Sequence, residues 1–281
     1  MNKIFLLAVF LILSIHSYSQ KSLQINEKGY FEMQGLNVTV FSDFYPDGHQ
    51  TGVTIIQHGI RVAANGDLRL EASPGQWSPV PKGGDQIIDR EAGFISQKMW
   101  YPDSSKNRKG FNPIEYPDFT FTYDVEVRAM EGSSFEVKIQ LEEPLPEEWV
   151  GKVGFNFELF PGDLFGKSWI MDGNSGIFHN QPNGPVGDDN GEILAEPLAS
   201  GSKLVIAPEK DLQRINFQSN TGELELRDGR TNHNNGWYVV RELVPGGVTK
   251  DVIQWTITPN VVEGWIYKPI IQVSQLGYHP E

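Results

Sequence analysis

Hydrophobic side chains recur at every second position along one stretch of this chain, and that period dictates extended backbone. Phe119, Phe121, Tyr123, Val125 and Val127 alternate with Thr120, Thr122, Asp124, Glu126 and Arg128. Successive strand side chains point to opposite faces, so this segment has one apolar face and one charged face. A helix would scatter the same residues around its circumference. Residues 130–134, with Gly132 at their centre, turn the chain. Phe135, Val137, Ile139 and Leu141 then alternate with Glu136, Lys138 and Gln140, which completes a hairpin.

Shorter runs of the same kind lie at 36–41, 53–57, 68–72, 94–100, 154–160, 204–207, 215–218, 223–227, 237–243 and 252–258. Clusters of Gly, Pro, Asn and Asp at 46–48, 65–67 and 81–84 separate them and predict turns. Helical spacing is nowhere sustained, and residues 144–149 have room for one helical turn. The class is all-β, a large antiparallel β-sandwich. Two smaller sandwiches divided within residues 161–202 are the alternative, since that region is rich in loop-forming residues.

The first residues read as an address. Asn2 and Lys3 precede an apolar run from Ile4 to Leu13, and Ser17 and Ser19 supply the small residues of a cleavage site. Ten helical residues rise about 15 Å, against a hydrocarbon core of about 30 Å, so the run is too short to span a bilayer. The expectation is a signal peptide over 1–19, a mature start at Gln20, and a secreted or periplasmic protein with no membrane partner after cleavage. The chain has no cysteine, which removes disulfides, thiolate metal sites and a lipidated cysteine anchor. Its formal net charge of −13 argues against a nucleic-acid partner.

The last residues carry a resemblance. Pro269 interrupts the chain, Ile270, Ile271 and Val273 open a new strand, and Gly277 to Pro280 is turn chemistry. Val273, Gln275, Gly277, Tyr278 and Pro280 together resemble the opening strand of the immunoglobulin-like domain at the front of glycoside hydrolase family 9 cellulases. Residues 235–241 and 255–260 are similar to the additional N-terminal β-domain of some secreted bacterial members. The resemblance implies that 20–268 is an N-terminal β-sandwich and that 269–281 is the first strand of a truncated immunoglobulin-like domain. It also implies a parent protein that hydrolyses β-1,4-glucan with inversion, using two carboxylates about 6.5–9.5 Å apart. In the family those groups stand in a helical barrel whose base lies in an Asp-Ala-Gly-Asp segment. This sequence contains no such segment, so no catalytic residue is carried over. The expected role is non-catalytic: support for a catalytic domain, with contact to polysaccharide, β-glucan first. A stand-alone carbohydrate-binding or surface-interaction module and a mutarotase-like sugar enzyme are the alternatives.

Candidate side chains follow from those readings. Pyranose faces stack on exposed aromatic rings, and Trp77, Trp100 and Tyr101 stand in expected loops; anchoring of those loops explains them as well. Trp169, Trp237 and Trp255 sit in or beside strands, where a core role is expected. Trp265 is expected to pin the sandwich against a following domain. Asp172 and Asn174 offer alternate oxygen ligands for calcium, although a glycine-rich turn in which Asp172 caps its own backbone accounts for the same residues. Asp188 and Glu192 add nearby acids. None of His58, His179 and His233 has a histidine or acidic partner at helix spacing, so zinc is not expected; a mutarotase would need a histidine and a glutamate in one cleft, drawn from His58 or His179 with Glu192 or Glu196. Asn37 and Thr39 form a glycosylation triplet within an expected strand, which carries no argument.

Overall fold

The computed structural model describes residues 22–42, 52–70, 81–101, 120–182, 184–189, 192–231 and 236–268. The expected leader at 1–19, the turn at 46–48, Trp77, His233 and the immunoglobulin-like strand at 269–281 lie outside these residues.

The strands run in chain order as β1 (Gln24–Ile25), β2 (Phe31–Met33), β3 (Leu36–Val40), β4 (Val53–Gln57), β5 (Ile60–Leu70), β6 (Lys82–Asp89) and β7 (Phe94–Tyr101). The middle of the chain supplies β8 (Phe121–Ala129), β9 (Phe135–Leu141), β10 (Val153–Leu159), β11 (Ser168–Met171), β12 (Asn174–Ile177) and β13 (Val186–Asp189). The remainder are β14 (Glu192–Ala195), β15 (Pro197–Gly201), β16 (Lys203–Ile206), β17 (Ile215–Ser219), β18 (Leu224–Asp228), β19 (Tyr238–Leu243) and β20 (Ile253–Pro259). Among the described residues, one α-helical turn, Pro161–Leu164, and two 3-10 turns, Glu147–Trp149 and Gly229–Thr231, interrupt them.

Two nine-stranded antiparallel sheets result. The first has the order β1-β2-β3-β4-β5-β10-β19-β18-β15, the second β12-β11-β16-β17-β20-β9-β8-β7-β6. Each sheet mixes strands from before and after residues 161–202, so that region does not divide two separate sandwiches. The core lies between the sheets. Phe155 of the first sheet meets Trp255 of the second with ring centroids 5.1 Å apart, and Phe157 meets Phe217 at 6.0 Å. Each such ring contributes about 2–3 kcal/mol by leaving water, and truncating one to Ala would cost about 3–5 kcal/mol.

The hairpin of β8 and β9 follows the alternation residue by residue: Phe121, Tyr123, Val125, Val127, Phe135, Val137 and Ile139 are buried, and their neighbours face out. Three expectations need correction. The cluster at 65–67 is no turn; it lies inside β5, which spans Ile60–Leu70 instead of starting at Leu68. A register shift against β10 between Asn156 and Glu158 marks a β-bulge there. A β-carbon on Gly66 would fall 2.6 Å from Phe157 and 2.8 Å from Val53, so the bulge tolerates glycine alone. The cluster at 81–84 similarly enters strand β6. Trp100 and Tyr101 end strand β7 and are not loop residues.

Candidate functional site

The bulge in β5 sits beneath an unusual surface. In β10, Phe155, Phe157 and Leu159 enter the core, so Asn156 and Glu158 turn outward, followed by Phe160 beyond the strand end. In β19, Tyr238 and Val240 enter the core while Val239 and Arg241 turn outward. Asn156 stands opposite Arg241, and Glu158 stands between Val239 on one side and Ala64 on the other. Outer sandwich faces are ordinarily solvated. Here Ala64 and Val239 are 1% exposed, Arg241 2% and Asn156 3%. Ala64 and Val239 do not belong to the core between the sheets, so the face has a buried floor of its own.

Half-buried groups surround this floor. Glu158 accepts from Asn65 Nδ2 at 2.5 Å and lies 3.5 Å from Arg69 Nη2. On β18, Arg227 Nε and Glu225 Oε2 pair at 2.9 Å, opposite Val239 and Arg241. At one end the Arg61 guanidinium lies 4.6 Å over the Phe160 ring, and Phe160 meets the Trp237 indole edge-on at 4.9 Å. The bulge re-aims Asn65, which adopts a φ of 55° and is buried. Its Oδ1 has no hydrogen-bond partner among the described residues, a deficit worth about 1–3 kcal/mol.

A second construction fixes residues 260–267 to one end of the sandwich. His58 and Gly59 form a two-residue turn between β4 and β5, with φ values of 49° and 78°. His58 Nδ1 lies 2.9 Å from the Leu212 carbonyl, which assigns the ring proton to that nitrogen. Nε2 then accepts the Val262 amide at 3.1 Å. Gln57 donates to the carbonyls of Asn260 at 2.7 Å and Arg214 at 3.0 Å, and Gln34 donates to the Trp265 carbonyl at 2.8 Å. The Trp265 indole packs on the His58 ring at 5.3 Å and on the Tyr267 ring at 4.6 Å. Ile266 and Tyr267 remain 72% and 65% exposed.

The residues singled out in the sequence scatter. Trp100 is 38% exposed on the outward face of the second sheet, its indole lying where a β-carbon on Gly84 would be. Tyr101 is fully buried, stacked on Phe121 at 5.3 Å and edge-on to Trp149, so its ring is no platform for a sugar. Asp172 and Gly173 form the turn between β11 and β12, and the Asp172 carboxylate accepts from Ser202 N at 2.6 Å, Ser202 Oγ at 3.1 Å and Lys203 N at 3.1 Å. It therefore caps a turn thirty residues away and not its own. Those hydrogen bonds, the Ser202 amide foremost, hold its carboxyl below the usual range. Asn174 is exposed at the start of β12. Among the described residues no three acidic or histidine side chains converge to hold a metal ion. Trp169 and Trp255 are core residues, as expected, whereas Trp237 sits half-buried on the outer face. His58 bonds two main-chain groups, and the His179 carbonyl, not its ring, accepts from Arg230 and Tyr238.

Sequence reasoning missed Asn65, Arg69, Asn156, Glu158, Phe160 and Arg241. Polar residues at alternate positions of β10 look like an ordinary solvated face; only the Asn65-Gly66 pair inside a run of strand residues signalled a bulge. It also missed Asp67. Asp67 accepts from Tyr123 Oη and from the Leu68 amide, both at 2.8 Å, and so ties β5 to β8 across the core. Burial, opposed by the Tyr123 hydroxyl and the Arg69 charge, pushes its carboxyl up to about 7. Below the floor's far end, Arg230 grips the buried Asp228 through two 2.8 Å bonds and donates to Tyr238 Oη at 2.7 Å. No protein-family model, curated protein or solved structure matches this chain.

Proposed function

We propose that this chain is the non-catalytic β-sandwich module of a secreted, cellulase-type glycoside hydrolase, and that its role is to seat a following domain in a fixed position. The resemblance of residues 273–280 supplies the family. The observation that supports the role is the fixing of residues 260–267: His58, Gln57 and Gln34 bond that segment at three points, and His58 is itself held by the Leu212 carbonyl, so the chain leaves the sandwich from a rigid base. Exposed Ile266 and Tyr267 give that base an apolar contact for a neighbour. Hydrolysis of β-1,4-glucan belongs to the partner domain in this reading.

The test is a reducing-sugar assay of the purified chain with soluble β-glucans, run beside amide hydrogen exchange of the His58→Ala variant. No sugar release is expected, and the Val262 amide should exchange at least tenfold faster in the variant. Sugar release by this chain alone would overturn the non-catalytic reading. Unchanged protection of Val262 would remove the rigid base. A mutarotase reading finds less support, because both ring nitrogens of His58 are occupied by main-chain groups.

A further inference from the structure

We infer that His58 is a proton-operated latch: its neutral ring pins the segment by which the chain leaves the sandwich, and protonation frees that segment from Val261 onward. The consequence rests on the module reading, which gives the exit segment a domain to hold.

The two ring nitrogens have opposite roles. Nδ1–H donates to the Leu212 carbonyl at 2.9 Å, and Nε2 accepts the Val262 amide at 3.1 Å. Only the neutral imidazole offers one donor and one acceptor, because the imidazolium donates from both nitrogens. A second proton would set two N–H groups against each other across 3.1 Å and turn an attraction into a repulsion. The ring has little room to turn aside. It is 6% exposed, a β-carbon on Gly35 would fall 3.1 Å from its Cδ2, and the Trp265 indole packs on it.

The charged groups of the surrounding segments have other partners or face water. On the turn before β17, Asp211 pairs with Arg214 at 2.8 Å, Glu209 accepts the Ser168 amide and Lys210 is exposed. On the exit segment Glu263 and Lys268 are exposed, and the Tyr267 ring covers Gly59. On β2 Glu32 accepts from Asn26, and on β5 Arg61 lies over Phe160. Among the described residues no charged side chain bonds the imidazole. Histidine is the side chain whose charge ordinarily changes between about pH 5 and 8, so mild acid is the signal. Gln57 holds the Asn260 carbonyl in either state, which makes that residue the hinge. Beyond it, the bond from Gln34 to the Trp265 carbonyl is exposed, and water competes for it.

Amide hydrogen exchange on the full chain by NMR, at about pH 7.5 and about pH 5, tests the latch, while the ring nitrogen shifts of His58 read its protonation. Protection of the Val262 amide, corrected for the intrinsic rate at each pH, should fall at least about tenfold on acidification. The Val244 amide, bonded to the Val153 carbonyl at 2.9 Å, should keep its protection. His58→Asn retains a donor for Leu212 and suits the left-handed backbone, but it is too short to accept from Val262. It should show low Val262 protection at both pH values. Protection that persists beside a protonated ring, or a ring that stays neutral at both values, would overturn the latch. The same fall in His58→Asn would overturn it by assigning the effect to another group, and an equal loss at Val244 would overturn it as global unfolding. A flat profile in the parent beside fast exchange in His58→Ala would sink the latch and leave the rigid base standing. Slow exchange in His58→Ala would remove the base itself.

Discussion

The two sheets of the sandwich handle polar side chains in opposite ways. On the second sheet the outward charges of the central hairpin and its neighbour are half-buried or exposed and find partners at the surface: Lys98 pairs with Asp124 and Glu142, Arg128 with Glu126, and Lys138 with Glu136. Its strands keep apolar residues inside and charges outside, as solvent on one face requires. On the first sheet the charged groups go under. Asp67, Asp228, Arg241 and Glu242 are all at most 3% exposed, and Glu242 accepts the Trp255 indole N–H at 2.5 Å across the core. Burying charge costs several kcal/mol per group unless hydrogen bonds compensate, so a fold does not do it merely to close a sheet. The second sheet is a wall. The first sheet takes its charges inside, where hydrogen bonds from Tyr123, Arg230 and Trp255 offset the cost.

Unfolding measurements can break that contrast, beginning with Asp67. The Asp67 carboxyl is raised from 3.8 to about 7 in the folded chain. Folding therefore favours its protonated form: this contribution is complete below pH 3.8 and is lost as pH rises through about 7. Each pH unit between those two values removes about 1.36 kcal/mol, so Asp67→Asn should be more stable than the parent by up to ~4 kcal/mol at pH 8. The advantage should vanish below about pH 4, and urea unfolding across that range reads it. A constant difference at every pH would mean that Asp67 is ionised in the folded chain.

Arg241→Ala should cost about 3 kcal/mol, because it strips the Lys152 carbonyl of a 2.7 Å bond and opens a cavity in the floor. Denaturant midpoints measure it, and a loss below about 1 kcal/mol would make the first sheet's outer face as ordinary as the second's. Lys138→Ala, on the wall, should cost under about 1 kcal/mol in the same measurement, as exposed ion pairs do. The smallest change is expected from Trp100→Ala. Its indole covers Gly84 at the surface, so the variant should lose no more than about 1 kcal/mol in a thermal melt. A larger loss would mean that Trp100 packs as a structural residue on the outer side of the second sheet.

The central hairpin of the second sheet was also the most legible part of the chain. The β8–β9 alternation could be read residue by residue, because period two is a local property and a solvated face lets each residue type declare its side. Most of the other strands came out within two residues of their observed ends. The short ones, β1, β2 and β11 to β15, did not, because two to five residues hold too little pattern to distinguish a strand from a loop, and β6 was missed because its Gly83-Gly84 opening reads as a turn. The errors at 65–67 and 81–84 have one cause. Glycine next to asparagine or aspartate signals a turn, and glycine-rich segments equally build bulges and bent strands when a strand from elsewhere lies alongside.

What the sequence determined by itself was therefore the all-β class, the faces of the long hairpin and the want of cysteine chemistry. These follow from composition and from which way neighbouring side chains point. The tertiary structure alone decided that Tyr101 goes inside, that Asp172 caps Ser202 and that His58 holds Val262. It alone gathered Asn65, Glu158, Phe160 and Trp237, which lie up to 172 positions apart in the chain, onto one face. Strand order and register bring such residues together, and those are settled by long-range pairing whose partners no local pattern names.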